Sequence, residues 1–178
     1  MLLQDSFHID YLKDSDANQL FQFLIDNNER LNKYFPVTIA SNSTLEKTIE
    51  YIAIKSKEVI EKINFTCAIR ETKTNQICGL IIIKKIDWDL KQGELAYFID
   101  SKFESKGLTS FAVSEISKFA TEELKLRTLQ IIAHKSNIGS CKVAEKNNFI
   151  WQRTLLNEFT PINELPLNME LYELSNEK

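Results

Sequence analysis

The chain has 178 residues, of which 43% are hydrophobic and 26% charged, and a formal net charge of −3 at pH 7. That length suffices for one domain with a core of its own, without disulfide or metal staples. The mildly negative balance argues against a basic nucleic-acid-binding surface, and no apolar run approaches a membrane span, since the segment 77–86 is interrupted by Gly79, Lys84 and Lys85.

In chain order, residues 7–12 alternate and predict a first strand. Asp14, Ser15 and Asp16 offer caps for a helix whose apolar positions Ala17, Leu20, Phe21, Leu24 and Ile25 recur at helical spacing. That helix fades near Asn27, and Pro36 blocks any helix continuing past Phe35. A second helix begins around 41–44 with Leu45, Ile49, Ile52, Val59 and Ile60 as its apolar face, and Ser43 with Glu46 fits a capping box. Segments 65–70, 77–86 and 94–100 are β-rich, are separated by turn-like residues, and predict an antiparallel three-strand meander. A helix over 107–123, a strand over 129–133, a short helix over 137–147 and strands over 150–159 and 167–174 complete the chain, with Pro161 and Pro166 in the last turn.

The resulting order is β-α-α-β-β-β-α-β-α-β-β. It predicts one mixed α/β domain over 1–178, with a central twisted, mostly antiparallel sheet and helices on both faces. The fourth and fifth strands are joined by a helix and are expected to run parallel. Cys67, Cys78 and Cys141 are odd in number and lack metal-type spacing, and His8 and His134 lie far apart, so reduced thiols and no metal are expected. Residues 1–5 lack the basic segment and long apolar run of a secretory leader, which points to the cytoplasm.

The block 93–149 carries the chemistry. A strand, Glu94-Leu95-Ala96-Tyr97-Phe98-Ile99-Asp100, feeds a turn containing Gly107 at a helix start, an arrangement that suits a phosphate-bearing ligand. A second strand-to-helix unit brings Asn137 and Ser140 to its entrance. Together these pieces resemble the GNAT superfamily of N-acetyltransferases, and within it the RimJ/RimL-type branch that acetylates N-terminal amines of ribosomal proteins. Residues Asn28 to Pro36 resemble the branch's "NRxxLxxWLP" region, the Glu94 strand its "EIGYWLD", and Asn137-x-x-Ser140-x-x-Val143-Ala144-Glu145-Lys146-x-Asn148-Phe149 its "NxxSxxVAEKxGF". The strand at Tyr172 resembles its closing "vYxL".

The resemblance implies acetyl-CoA as donor, with its pyrophosphate on the turn Glu104, Ser105, Lys106, Gly107, Leu108 and Thr109. Glu104 and Thr109 depart from the family's Gln or Arg and small residue there, placing a carboxylate and a branched side chain at the turn. The resemblance further implies cofactor contacts at Phe98, Ile99, Asn137 and Ser140, Glu94 as general base, and Ser140 beside the departing sulfur. Asn137 is equally read as a helix cap, and Glu94 as a strand-end carboxylate in an ion pair. The implied acceptor is a protein N-terminal α-amine, with a polyamine or antibiotic amine, or a non-catalytic CoA-binding module, as the alternatives. The family often forms homodimers; no nucleic-acid or membrane partner is expected.

Overall fold

A computed structural model describes residues 2–4 and 6–176; the leader expectation for residues 1–5 lies partly outside the described residues. The first half carries β1 (Leu2–Gln4), β2 (Phe7–Tyr11), a 3-10 turn (Asp14–Asp16), α1 (Ala17–Asp26), α2 (Asn28–Asn32), α3 (Pro36–Ala40) and α4 (Leu45–Ile60). Then follow β3 (Phe65–Glu71), β4 (Ile77–Asp87), β5 (Gln92–Ile99), a second 3-10 turn (Ser101–Phe103), α5 (Leu108–Glu122), β6 (Thr128–Ala133), α6 (Ile138–Lys146), β7 (Ile150–Phe159) and β8 (Leu167–Ser175). The fold is the mixed α/β one expected, with a hydrogen-bonded strand order β1-β2-β3-β4-β5-β6-β8-β7. β5 and β6 run parallel, in register from Gln92↔Thr128 to Leu95↔Ile131, while β1–β2, β2–β3, β6–β8 and β7–β8 are antiparallel.

Contacts divide the chain into two compact units, residues 1–81 with 97–108, and residues 82–96 with 109–178. In the first unit, α1 and α4 close an apolar cluster in which Leu20, Ile52, Ala68 and Leu80 are fully buried. Phe98 belongs to this cluster, its ring stacked on Phe23 at 6.0 Å and tilted against Phe35 at 4.6 Å. Gly79 is required by proximity, because a Cβ there would lie 2.4 Å from the Phe98 carbonyl oxygen. In the second unit, α5 buries Ala112, Val113, Ile116 and Ala120, and β8 buries Met169, Leu171 and Tyr172.

As expected, no helix runs on past Phe35; Pro36 instead opens α3 as its first residue, where its missing N–H goes unused. Two sequence expectations are corrected. The cap of α4 is Thr44, whose hydroxyl accepts from the Lys47 N–H at 3.3 Å, so Glu46 falls one position short of the box expected with Ser43. The apolar face of α4 is also narrower than the pattern implied. Ile52 is wholly buried, but Ile49 and Ile60 are 52% and 81% exposed, and Thr48 is buried instead, its hydroxyl donating to the Thr44 carbonyl.

Candidate active site

The first unit supplies the turn ahead of α5. Asp100, buried at the end of β5, caps the second 3-10 turn by accepting from the Lys102 N–H at 3.0 Å. Beyond it, Ser105 and Gly107 both take left-handed backbone angles, φ 61° and 78°. A Cβ built on Gly107 would meet nothing within 4 Å, so the residue answers a conformational need and the space beside it is open. The N–H groups of the first helical turn lack intrahelical acceptors, and the helix dipole favours an anion there. Lys106 leans over the Phe103 ring at 5.1 Å.

Glu104 poses less of an obstacle to a phosphate than its charge suggests. Arg30 from α2 pairs with its carboxylate at 2.9 Å, donates to Asn27 Oδ1 at 3.0 Å, and also donates to the Ile99 carbonyl. The carboxylate is thereby turned to a cation, and the Glu104 N–H is used on Ser101 O at 3.2 Å, so the donors of the turn begin at Ser105. Phe98 and Ile99 are buried, 5% and 7% exposed, so what they offer a ligand is backbone. Thr109 is half-buried in the first turn of α5.

The second unit carries Glu94, Asn137 and Ser140. Asn137 caps α6, its side chain accepting from the Ser140 N–H at 3.1 Å, while Ser140 itself is half-buried in the first turn. Cys141 donates to the His134 carbonyl at 3.9 Å, and burial followed by the Cys141 thiol raises the Tyr172 hydroxyl pKa. His134 Nδ1 faces Ser136 Oγ at 2.7 Å, which occupies it within its own turn. All three cysteines are free thiols, and burial pushes Cys67 up to about 12 and Cys78 to about 11.

Glu94 is only 7% exposed. Its two oxygens are each met by an ammonium at 2.9 Å, Lys84 on Oε1 and Lys85 on Oε2. Consecutive strand residues normally point to opposite faces, so two adjacent lysines on one carboxylate require a break in the pleat. Lys85 provides it with φ 49°. The flanking residues confirm the break: Ile83 and Ile86, three apart, lie 3.2 and 3.7 Å from the Cβ position of Gly93, on the face opposite Glu94. The strand thus reads Ile83 inward, Lys84 and Lys85 together outward, Ile86 inward, which is a β-bulge. The hydrogen bond to Glu94, opposed by burial and aided by the charges of Glu94 and Glu158, raises the Lys85 pKa.

In the sequence these lysines showed only as interruptions of an apolar run; two adjacent cations within a strand were the available signal. Arg30 likewise appeared only inside a motif, its partners lying on distant segments. Among the described residues no group of three His, Cys, Asp or Glu is arranged to hold a metal ion, and no helix is long and apolar enough to cross a membrane.

A family model described as "Acetyltransferase (GNAT) domain" matches residues 7–150. The chain belongs to the GNAT acetyltransferase family. This GNAT protein is an acyltransferase with acetyl-CoA as cosubstrate, and the turn fits that group: open space beside Gly107, a left-handed backbone, and a carboxylate already engaged by Arg30. Among curated proteins it is similar to the "Putative ribosomal N-acetyltransferase YdaF" of Bacillus subtilis, 28% identical over 141 residues, 78% of this chain and 75% of the relative. Among solved structures it is similar to a ribosomal-protein-S5-alanine acetyltransferase of Vibrio fischeri, with TM-score 0.92 and 17% identity over 99% of this chain and 97% of that one. A RimL ribosomal L7/L12 α-N-protein acetyltransferase in complex with coenzyme A gives TM-score 0.88 and 16% identity over 97% and 95% of the two chains. At such identities the solved structures bear on the fold alone.

Proposed function

We propose that this acetyltransferase, as one domain over 1–178, modifies a protein N-terminal α-amine, with a ribosomal protein as the acceptor class. The observation that carries the reading is the sequestered carboxylate of Glu94, whose contacts are lysines and not further acids. A polyamine acceptor calls for several carboxylates, whereas a weakly basic α-amine needs a single proton acceptor. An α-amine has a pKa of roughly 7.7–8 against about 10.4 for lysine, so making it neutral at pH 7 costs only about 1 kcal/mol. The relatives named above as ribosomal-protein acetyltransferases support the same class.

In this reading, the N–H groups at the start of α5 hold the pyrophosphate of acetyl-CoA, with Gly107 allowing close approach. Bound acetyl-CoA supplies the reactive thioester. Glu94 takes the proton of the attacking amine, one lysine yielding its oxygen, and the Ser140 hydroxyl faces the departing sulfur while Asn137 fixes the helix start. Glu104 and Thr109 motivated the alternative of a non-catalytic module; the pairing of Glu104 with Arg30 weakens the first of these grounds.

The test is acetyl-CoA turnover on a panel of short peptides with free N-termini, spermidine and an N-blocked lysine peptide, with products located by mass spectrometry. Acetylation confined to peptide α-amines is expected. Faster acetylation of spermidine at equal concentration would overturn the acceptor assignment.

A further inference from the structure

We propose that Lys84 and Lys85 are specificity-determining residues, which set the charge at Glu94 so that it accepts a weakly basic amine and rejects amines that arrive as strong cations. The proposal rests on the reading of Glu94 as the group that meets the acceptor. Two ammoniums and one carboxylate in direct contact sum to one positive charge, in a place where the carboxylate is 9% exposed. Glu158 also acts on Lys85 through its charge and offsets part of that excess at Lys85, leaving Lys84 as the cation it does not compensate.

A positive cluster at a partly buried position disfavours the protonated form of any amine beside it. At pH 7 roughly a tenth of a free α-amine is already neutral, but only about one lysine side chain in 2500. The same local charge lowers both pKa values alike: a shift of about one unit leaves an α-amine mostly neutral at pH 7, whereas a lysine or polyamine stays protonated and is repelled. A polyamine pays again for each additional ammonium that it brings near.

The strand geometry makes this arrangement specific. In a regular pleat only one of two consecutive lysines could share the face of Glu94, and the cluster would then be neutral. The left-handed angle at Lys85 is what adds the second cation. A non-glycine residue held there stores strain, which fits a constraint set by function. The two lysines also differ in freedom: Lys84 is 37% exposed and Lys85 is 63% exposed, so Lys85 is the one able to swing aside as Glu94 takes up a proton. Lys84 then remains to hold the carboxylate in place.

The experiment compares kcat/KM for a peptide α-amine and for spermidine, at saturating acetyl-CoA, in the full chain and in Lys84→Met, Lys85→Met, the double variant and Lys85→Arg. Thermal stability and CoA affinity serve as folding controls. Each lysine removed is expected to lower the peptide-to-spermidine ratio about tenfold, and Lys85→Arg to keep it, because the charge is what matters. The rising limb of the kcat–pH profile for the peptide should move up by about half a unit or more in Lys85→Met, as the bound acceptor regains its proton more readily. An unchanged ratio in both folded single variants, with Glu94→Gln still slow on both acceptors, overturns the role of the lysines alone. Full activity in Glu94→Gln overturns the reading of Glu94 and this proposal with it.

Discussion

Two charge clusters, one in each compact unit, contrast at their centres: a buried arginine between two carboxylates, and a buried carboxylate between two lysines. In the first, Arg70 on β3 is wholly buried and its guanidinium meets Asp10 at 2.6 Å and both oxygens of Asp16 at 3.1 and 2.6 Å. In the second, a single carboxylate on β5 meets two lysines that reach into solvent. The first cluster centres on a planar fork that cannot lose its proton, with Lys13 a further, exposed partner of Asp10, and the 3-10 turn leading into α1 hangs on it. The second is built from flexible point charges, one of them on a strained backbone. Rigid pairing of a buried arginine serves the fold; loose pairing around a buried carboxylate suits the role proposed for Glu94, because a group that accepts a proton needs partners able to leave.

The largest effect should come from breaking the first cluster. Arg70→Met leaves Asp16 without its cation and Asp10 with only the exposed Lys13, and should cost about 3–5 kcal/mol, read as a lowered denaturation midpoint. If stability held, the cluster would not be the fold's anchor and the contrast would collapse. Glu94→Gln should do the reverse, lowering kcat by roughly a hundredfold or more while CoA affinity and the melting temperature stay near those of the parent. Gly107→Ala forces a side chain into a left-handed position at a cost of about 1–2 kcal/mol; CoA affinity should fall roughly five- to tenfold by calorimetry, with the acceptor KM little changed.

Acid sharpens the comparison further. Burial pushes the Asp10 carboxyl up, but hydrogen bonds from Arg70 and Lys13 outweigh it and hold its pKa below the ordinary value. Its contribution to stability is therefore full above about pH 4 and is lost as the pH falls through the lower folded value. Denaturant titrations from pH 6 to 2 should show this loss, and Asp10→Asn should flatten it. The smallest effect belongs to Lys13→Ala. This lysine touches Asp10 at 2.6 Å but is 58% exposed, and its removal should cost less than about 0.5 kcal/mol in the same assay.

Much of the frame was legible in the chain. Strand β7, Ile150–Phe159, matches its expected span, and most other elements fall within a residue or two, because alternation and caps are local signals. The short helices α2 and α3 were not legible. They span five residues each, too few for a period to show. The site divides along the same line. Asn137 as the cap of α6 and Gly107 as a left-handed turn residue are local facts carried by spacing. The engagement of Glu104 by Arg30 joins positions 74 residues apart, and no window along the chain contains both. Lys84 and Lys85 sit close in sequence to Glu94, yet strand alternation predicts that only one should face it; the backbone angle that admits the other leaves no trace in composition.

The bulge in β4 has a consequence for how the chain can change. Loss of one residue from a strand ordinarily turns every later side chain over. Loss of residue 85 would not, since Ile83, Lys84, Ile86 and Asp87 would then alternate in the ordinary way and Ile86 would keep its place over Gly93. A deletion of one codon could thus remove a single cation from the neighbourhood of Glu94 and leave the rest of the strand in phase. With the role proposed for Lys85, amine preference and strand integrity are separable at this position.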